Sequence, residues 1–210
     1  MVQILDTTME MAGDAVLNAM FLARKSVFVD LLKWDVPVRD GCHEIDQFDD
    51  VHARYLILLG DDARHLASTR LLPTTRPHIL DSLFADLCEH TPPRGPDIFE
   101  ITRFCLDRSL RANERRTVRD QLVTALVQHA RASGVATYTG VAETGWLQQI
   151  LSFGWDCRPL GLPVRHGSTM LGAIEITIEP RTPTCLAAAG IWSPIQGTDL
   201  AERRAVGAGG

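Results

Sequence analysis

The chain has 210 residues, of which 45% are hydrophobic and 22% charged, and its formal net charge is −5. This composition is typical of a globular protein that buries its own core, and it excludes collagen-like, disordered and coiled-coil chains. The acidic balance gives no overall indication of nucleic-acid binding.

Targeting and metal-binding patterns are missing from the sequence. No apolar run reaches the ~18 residues of a membrane span, and residues 1–6 lack the basic flank and long apolar core of a signal peptide. The five cysteines are far apart and form no CxxC pair, so we expect reduced thiols. The seven histidines form neither an HxxxH nor an HExxH motif. We therefore expect a cytoplasmic globular protein with no membrane span and no metal site.

Apolar periodicity predicts the elements of the first half in chain order. They are a strand at 2–5, an amphipathic helix at 14–32, an acidic loop at 33–53, a hairpin of strands at 54–60 and 65–73, and a helix at 77–88 that Pro77 opens. An irregular segment of about 20 residues is unusual in a compact domain, and such loops are often functional.

The second half continues the alternation of strands and helices. The predicted elements are a strand at 98–106, a long helix at 114–133 closed by Gly134, a strand at 136–142, a short helix at 145–153, and strands at 156–160 and 169–178. The order predicts an α/β fold, a three-layer αβα sandwich with a mixed sheet. We expect one domain over residues 1–180 and a C-terminal extension over 181–210, whose last residues are disordered.

Three features conflict with the usual burial of their segments, and such conflicts often mark a site. Arg24 lies on the apolar stripe of the first helix, where a buried guanidinium needs a carboxylate partner such as those at 44–49. Alternatively, its side chain reaches solvent along the helix edge. Arg70 lies in the middle of an apolar strand. Glu100 and Arg103 face opposite sides of their strand unless a β-bulge intervenes, and the alternative is an edge strand whose polar residues meet water.

These residues are arginines and carboxylates, without a candidate Ser-His-Asp or Cys-His nucleophile. Such a set suits the binding of a zwitterion and the uptake of a proton rather than covalent catalysis. Six arginines and two acidic residues between Arg103 and Arg119 give a local charge of +4. This basic segment is either a docking site for an acidic partner or phosphate-bearing ligand, or a solvated helix face.

A series of motifs combines these residues with aromatic neighbours. The motifs are Arg24-x-x-x-Phe28, Trp34, Glu44-x-Asp46-x-Phe48-Asp49, Arg54-Tyr55-Leu56, Ser68-Thr-Arg70-Leu-Leu-Pro-Thr-Thr and Phe99-Glu100-Ile-Thr-Arg103-Phe. In order and approximate spacing they resemble the N-terminal signature of the LuxI-type acyl-homoserine-lactone synthases. The resemblance runs from about residue 20 to 106 and continues weakly at 153–161, so it covers most of the chain.

The resemblance implies a fold similar to the GCN5-related N-acetyltransferases and an acyltransferase that makes a quorum-sensing signal. In that family the amine of S-adenosyl-L-methionine attacks the thioester of an acyl-carrier protein or acyl-CoA. The methionine carboxylate then closes the homoserine lactone and releases methylthioadenosine. Both reactants are substrates, so no cofactor is implied.

The resemblance also assigns roles residue by residue. It implies Glu100 as general base, with Arg70 and Arg103 as further catalytic residues. The S-adenosylmethionine side comprises Arg24, Phe28, Trp34, Asp46, Asp49, Arg70 and Arg103. Candidate acyl-pocket residues, each also explained by core packing, are Phe84, Phe104, Val123, Leu126, Val141, Ala142, Leu147 and Ile150. The arginines proposed to dock an acidic carrier protein are Arg108, Arg111, Arg115, Arg116 and Arg119.

Two other functions are weighed against this one. An ordinary acetyltransferase would cradle the pyrophosphate of acetyl-CoA with a glycine turn before the long helix, and residues 110–117 contain no glycine. A non-catalytic sensor of S-adenosylmethionine or acyl thioesters would lack the base or the arginines, and Glu100, Arg70 and Arg103 are all present.

Family members that make 3-oxo signals often have a hydroxyl where Ala142 stands, which disfavours a 3-oxo chain.

Overall fold

A mixed β-sheet organises the part of the chain that the computed structural model describes, which is residues 2–6, 15–60 and 62–193. Within these ranges eight strands form one sheet, in the order β1-β4-β5-β6-β7-β10-β8, with β9 paired to β10; β2 and β3 form a separate hairpin. The strands are β1 (Val2–Asp6), β2 (Val38–Arg39), β3 (His43–Glu44), β4 (Arg54–Leu59), β5 (His65–Pro73), β6 (Ile98–Leu106), β7 (Thr137–Glu143), β8 (Asp156–Pro159), β9 (Val164–His166) and β10 (Thr169–Thr177).

The helices follow the predicted order. They are α1 (Ala15–Arg24), which continues as a π-helix (Lys25–Leu31), α2 (Ile79–Leu83) with a 3₁₀ turn (Ala85–Leu87), α3 (Ala112–Ser133), α4 (Thr144–Leu151) and α5 (Thr182–Ala188). The α/β class and the alternation of elements are therefore confirmed. On α3 the predicted apolar stripe is buried, and Gly134 ends the helix with a φ of +72° that favours glycine.

The predicted helix at 77–88 is wrong in its extent. The regular helix begins at Ile79, because His78 is extended and its N–H donates to Asp81 Oδ1 at 2.9 Å in a capping box. Pro77 therefore precedes the cap instead of opening the first turn. The helix ends at Leu83, and one 3₁₀ turn completes the segment.

Four short elements have no counterpart in the prediction. Strands β2 and β3, of two residues each, form a hairpin inside the predicted loop at 33–53. Strand β9 has three residues, too few for a period of two to be recognised. Helix α5 lies where periodicity fades, and it buries Thr182 and Leu186. The predicted disorder at the end of the chain concerns residues outside those that the structure describes.

Contacts divide the chain into two units. The first contains the described parts of Met1–Arg70 together with Arg103–Leu122. Its core includes Leu17, Met20 and Phe21 of α1, and the Phe21 ring meets Tyr55 edge-on at 6.0 Å. This packing holds α1 in the unit that carries most of the unusual charged residues.

The second unit contains Leu71–Thr102 and the described part of Val123–Pro194. One of its apolar clusters is built on Leu80, Leu87 and Ala173. In the same unit, β6 and β7 pair in parallel over four positions that end at Ile101–Gly140. Strand β7 continues to Glu143 on its antiparallel partner β10, so the β6–β7 ladder stops before the end of β7.

Candidate functional site

Arg24 occupies the buried face at the end of α1, as its place in the apolar stripe predicts. Its side chain is 1% exposed, and its Nε donates to Glu44 Oε2 at 2.6 Å. Nη1 and Nη2 donate to the two carboxylate oxygens of Asp49 at 2.8 and 2.9 Å, a bidentate pair. The prediction that the acidic loop supplies the partners is confirmed, and the alternative of a side chain reaching solvent is wrong.

Arg70 of β5 is also fully buried and pairs with the same loop. Its Nη1 and Nη2 donate to Asp46 at 2.6 and 3.1 Å, and Nη1 lies 2.8 Å from Asp49 Oδ1. Asp49 also accepts from the Tyr55 hydroxyl at 2.7 Å. Burial alone would raise the pKa of Asp49, but attraction to Arg24 and Arg70 outweighs it and holds the pKa well below its usual range. Asp49 is therefore ionised at neutral pH and lies at the centre of this network.

Arg103 joins the network from β6. Its Nε and Nη2 donate to Glu44 Oε1 at 3.0 and 2.9 Å, and Nη2 donates to Asp46 Oδ2 at 2.7 Å. Its φ of +52° lies in the left-handed region, so regular strand geometry is interrupted at this residue. The alternative prediction of an edge strand is wrong, because β6 lies between β5 and β7 in the sheet.

An aromatic pair lies against the Arg103 guanidinium. Phe28 and Trp34 stack with ring centroids 4.7 Å apart, and the guanidinium carbon lies 5.6 and 5.8 Å from the two rings. Phe28 lies in the π-helix; beyond its end the chain turns at Lys33, with a φ of +60°, and the Trp34 N–H donates to Phe28 O at 2.8 Å. Phe28 is buried, whereas Trp34 is half-buried.

The first unit therefore contains a buried cluster of three arginines and three carboxylates, here called the ion cluster, consisting of Arg24, Arg70, Arg103, Glu44, Asp46 and Asp49. Glu44 is expected only as a possible partner of Arg24 and is not among the residues assigned to the substrate side, although it joins Arg24 to Arg103. The signal for such a role is its place in the acidic loop, two residues before Asp46. Opposite charges balance within the cluster, which makes its burial tolerable. A cluster with carboxylates, guanidinium groups and an aromatic face suits a ligand that carries both charges.

Glu100 lies in the second unit and is fully buried. Its carboxylate oxygens accept the N–H groups of Ile79 and Leu80, at 2.8 and 3.0 Å. These are the first N–H groups of α2, which have no partner within the helix, so Glu100 completes the start of α2. The two bonds fix the carboxylate in one orientation, as a reacting group requires.

The predicted acyl-pocket residues are distributed over both units. Phe84 and Val141 pack on the Leu80, Leu87 and Ala173 cluster. Phe104 belongs to the first unit and is half-buried. The other five, Val123, Leu126, Ala142, Leu147 and Ile150, are buried in the second unit.

The five arginines predicted for docking differ in exposure. Arg108, Arg111 and Arg116 are exposed, whereas Arg115 and Arg119 are half-buried. Arg119 pairs with Asp120 at 2.6 Å, and Arg115 Nη2 donates to Asp107 O at 3.4 Å. The positive charge that this segment exposes to solvent therefore comes mainly from Arg108, Arg111 and Arg116.

Metal-binding clusters and membrane-spanning helices are both absent from the described residues. Residues 2–6, 15–60 and 62–193 contain no group of three or more His, Cys, Asp or Glu side chains placed to hold a metal ion. None of the described helices has both the length and the apolar character needed to cross a bilayer.

The chain matches a known family over most of its length. The family model described as autoinducer synthase matches residues 8–181. The isovaleryl-homoserine lactone synthase of Bradyrhizobium diazoefficiens is 30% identical over 164 residues, which cover 77% of this chain and 73% of that protein.

Solved structures agree with the sequence matches. A CoA-dependent acyl-homoserine lactone synthase, BjaI, solved with MTA and with SAM and isopentyl-CoA, superposes with a TM-score of 0.82 at 27% identity, over 93% of this chain and 92% of that chain. A putative N-acetyltransferase from Lactobacillus plantarum has a TM-score of 0.58 at 16% identity, over 85% of this chain and 98% of that chain. The second similarity concerns the fold alone, and it agrees with the predicted three-layer, N-acetyltransferase-like architecture.

Proposed function

The chain belongs to the autoinducer synthase family, and from this premise we propose that it is an acyl-homoserine-lactone synthase, an acyltransferase that makes a quorum-sensing signal. Its substrates are S-adenosyl-L-methionine and an acyl thioester, and its products are the acyl-homoserine lactone, the free carrier thiol and methylthioadenosine. The family match over residues 8–181 is the observation that carries this proposal. No cofactor takes part in the reaction.

The ion cluster and the stacked pair Phe28–Trp34 form the S-adenosylmethionine side. The sulfonium and ammonium groups of that substrate are attracted to carboxylates and to an aromatic face, and its carboxylate is attracted to a guanidinium group. Asp46 and Arg103 supply such groups beside the aromatic pair, because Arg103 donates to Asp46 and its guanidinium group lies over the Phe28 ring. Arg24, Asp49 and Arg70 act behind them, because their side chains are at most 1% exposed, against 10% for Arg103 and 5% for Asp46.

Glu100 is the general base. Its carboxylate oxygens accept the N–H groups of Ile79 and Leu80, and these two bonds hold the carboxylate in one orientation. Loss of a proton makes the substrate amine a nucleophile for the thioester carbonyl; the C–N bond forms, the C–S bond breaks, and the carrier thiol leaves with a proton. The substrate carboxylate then displaces methylthioadenosine from its own γ-carbon and closes the lactone.

The acyl donor is either an acyl-carrier protein or acyl-CoA. Acyl-carrier proteins are strongly acidic, and Arg108, Arg111 and Arg116 present positive charge to solvent from one segment of the chain. This surface favours the carrier protein as donor. The CoA-dependent relative with 27% identity keeps acyl-CoA as the other candidate. The acyl chain itself is proposed to contact the predicted pocket residues, beginning with Phe84 and Val141.

The test compares Glu100→Gln with Glu143→Gln, a control at the exposed end of β7. Purified proteins receive S-adenosylmethionine and a panel of acyl-carrier proteins and acyl-CoAs, and mass spectrometry follows lactone and methylthioadenosine. We expect the wild type and Glu143→Gln to form both products, and Glu100→Gln to be slower by a factor of about 100 or more.

Two outcomes would contradict these assignments separately. If Glu100→Gln turned over at nearly the normal rate, Glu100 would not be the base. If the wild-type protein formed neither product with any donor, the synthase function itself would be wrong. Thermal unfolding of each variant verifies folding, because an amide at position 100 directs its NH₂ group at one of the two N–H donors of α2.

A further inference from the structure

Cys42 lies at the tip of the β2–β3 hairpin. The turn is made by Asp40 and Gly41, with φ values of +51° and +69°, and the Cys42 N–H closes it by donating to Arg39 O at 3.1 Å. Positive φ values at two successive residues are typical of tight hairpin turns, and Asp and Gly tolerate them. The hairpin holds Cys42 half-buried, so part of this residue is exposed to solvent.

A histidine and an asparagine form a chain of hydrogen-bond contacts that begins at the Cys42 sulfur. Cys42 Sγ lies 3.4 Å from His43 Nδ1, and His43 Nε2 lies 2.7 Å from Asn18 Oδ1. Because the asparagine oxygen only accepts hydrogen bonds, Nε2 carries the hydrogen in the neutral ring, and Nδ1 has a lone pair towards the thiol. The three side chains therefore form a nucleophile, a base and a group that orients the base.

The surroundings of three other cysteines disfavour the thiolate. Burial raises the pKa of Cys88, and it raises the pKa values of Cys105 and Cys157 to about 12. Cys42 has the His43 ring beside its sulfur instead, with Sγ and Nδ1 3.4 Å apart. Since thiolates, not thiols, attack electrophiles, the five free cysteines are expected to react at very different rates.

We propose that Cys42 is a reactive thiol and the site at which low-molecular-weight disulfides modify this protein. His43 Nδ1 takes the thiol proton, and the thiolate attacks one sulfur of the disulfide. The disulfide's S–S bond breaks as the new one to Cys42 forms, so Cys42 is oxidised and the departing half is reduced. The departing thiolate takes up the proton from the imidazolium. This inference stands on the hairpin geometry and is independent of the synthase reaction.

Cys42 directly precedes strand β3, and β3 contributes one residue, Glu44, to the ion cluster. His43 and Glu44 are the two residues of β3, and Glu44 joins Arg24 to Arg103. A group attached to Sγ removes the contact between Sγ and Nδ1 and displaces the His43 ring. We therefore expect the mixed disulfide to lower the unfolding temperature of the protein, and a reductant to restore it.

The experiment treats the folded full-length chain at pH 7 with limiting dithiodipyridine, an aromatic disulfide whose thione product absorbs light. Peptide mass spectrometry assigns the modified cysteines, and the same reaction in denaturant provides the intrinsic rate of each. We expect Cys42 to react about tenfold faster than Cys88, Cys157 or Cys185. Cys42→Ser removes the fast phase. His43→Gln and Asn18→Ala slow it, whereas His52→Gln, an exposed histidine of the same acidic segment, leaves it unchanged.

The proposal is wrong if Cys42 is modified no faster than Cys185, or if His43→Gln reacts as fast as the wild type. Because His43→Gln could disturb the hairpin, its unfolding temperature is measured as well. Asn18→Ala provides the second variant, since Asn18 lies on the exposed side of α1, outside the hairpin. A rate that depends on His43 but not on Asn18 would overturn the role of the asparagine.

Discussion

The most informative individual residues of this protein are its buried, paired charged side chains. Arg24 and Arg70 are 1% and 0% exposed, and each is held by two carboxylates from one loop. An unpaired charge at such a depth would be very costly, so the guanidinium and carboxylate groups stabilise the fold only as a set. Removing one member leaves its partners buried without their opposite charge. The fold is therefore destabilised by more than the whole set stabilises it.

The first prediction concerns Arg24→Met, which replaces the guanidinium by an apolar side chain of similar length. Glu44 and Asp49 lose part of their compensation while staying buried, so we expect the free energy of unfolding to fall by about 3–5 kcal/mol. Urea denaturation measures the change. Lys25→Met is the matched control: its ion pair with Asp30 is 27% and 40% exposed, and its loss should cost less than about 1 kcal/mol. Equal losses for both variants would contradict the interpretation.

The second prediction is a pH dependence set by His65. Burial lowers the pKa of His65 from 6.5 to about 4, despite some opposition from Asp107. Between these two pH values the unfolded chain binds a proton at this residue and the folded chain does not. The free energy of unfolding therefore falls as the pH drops through this window, by about 3 kcal/mol.

Denaturation of wild type and His65→Gln between pH 7 and 4 checks this sign. The variant should lose much less stability across the window, whereas His52→Gln, at an exposed position, should behave as the wild type. Asp49 does not interfere: its stabilisation is present above the ordinary pKa of an aspartate and is lost only at lower pH. An unchanged slope in His65→Gln would contradict the assignment.

Two secondary-structure elements of this protein depart from regular backbone geometry. The helix that begins at Ala15 becomes a π-helix over Lys25–Leu31, and β6 changes conformation at Arg103. Both irregularities carry residues of the ion cluster or its aromatic pair. π-Helical turns and left-handed residues are less favourable than regular conformations, so they persist only where the surroundings stabilise them.

The third prediction concerns the close approach of two segments at Gly161. A Cβ there would lie 2.6 Å from Leu87 O and 3.0 Å from Glu89 N, both backbone atoms that cannot move independently. We expect Gly161→Ala to lower the free energy of unfolding by about 2 kcal/mol. Gly145→Ala, in the first turn of α4 with no heavy atom within 4 Å of the new Cβ, should be neutral or stabilise by up to about 1 kcal/mol. Thermal unfolding of the two variants measures the difference, and equal effects would contradict the steric argument.

Charge is distributed unevenly at the scale of the whole molecule. The chain carries −5 overall, yet the segment from Arg103 to Arg119 is strongly basic. Part of that charge is internal, because Arg103 belongs to the ion cluster and Arg119 pairs with Asp120. The exposed remainder attracts an acidic partner over distances comparable to the Debye length, about 10 Å at 0.1 M salt.

The fourth prediction tests that attraction with the double variant Arg111→Glu/Arg116→Glu. With an acyl-carrier protein as donor at low salt, we expect the KM for the carrier to rise by about tenfold while kcat changes little, because charge reversal acts on association. Raising the ionic strength should reduce the difference between variant and wild type. A matched Arg165→Glu change, on β9, should leave the KM unchanged. If the double variant kept the wild-type KM at low salt, docking at this surface would be excluded.

Apolar spacing in the sequence predicts the α/β class and the order of the main elements. Periods of 3.6 and 2 residues are local consequences of burying one face, so the helices at 15–31 and 112–133 and the strands β4, β5 and β6 are readable from apolar spacing alone. The same logic identified Arg24 and Arg70 as charges in apolar segments, and it correctly predicted carboxylate partners for Arg24.

The tertiary structure decided which groups meet. Arg103 contacts Glu44 across 59 positions, and Cys42–His43 meets Asn18 across about 25, distances that no local pattern encodes. The start of α2 at Ile79, later than predicted, depends on the His78 cap, and Glu100 completes the start of that helix from strand β6. Hydrophobic patterning specifies how much surface an element buries. The partner of each buried polar group depends on the complete fold, because hydrogen bonds require geometry to within fractions of an ångström.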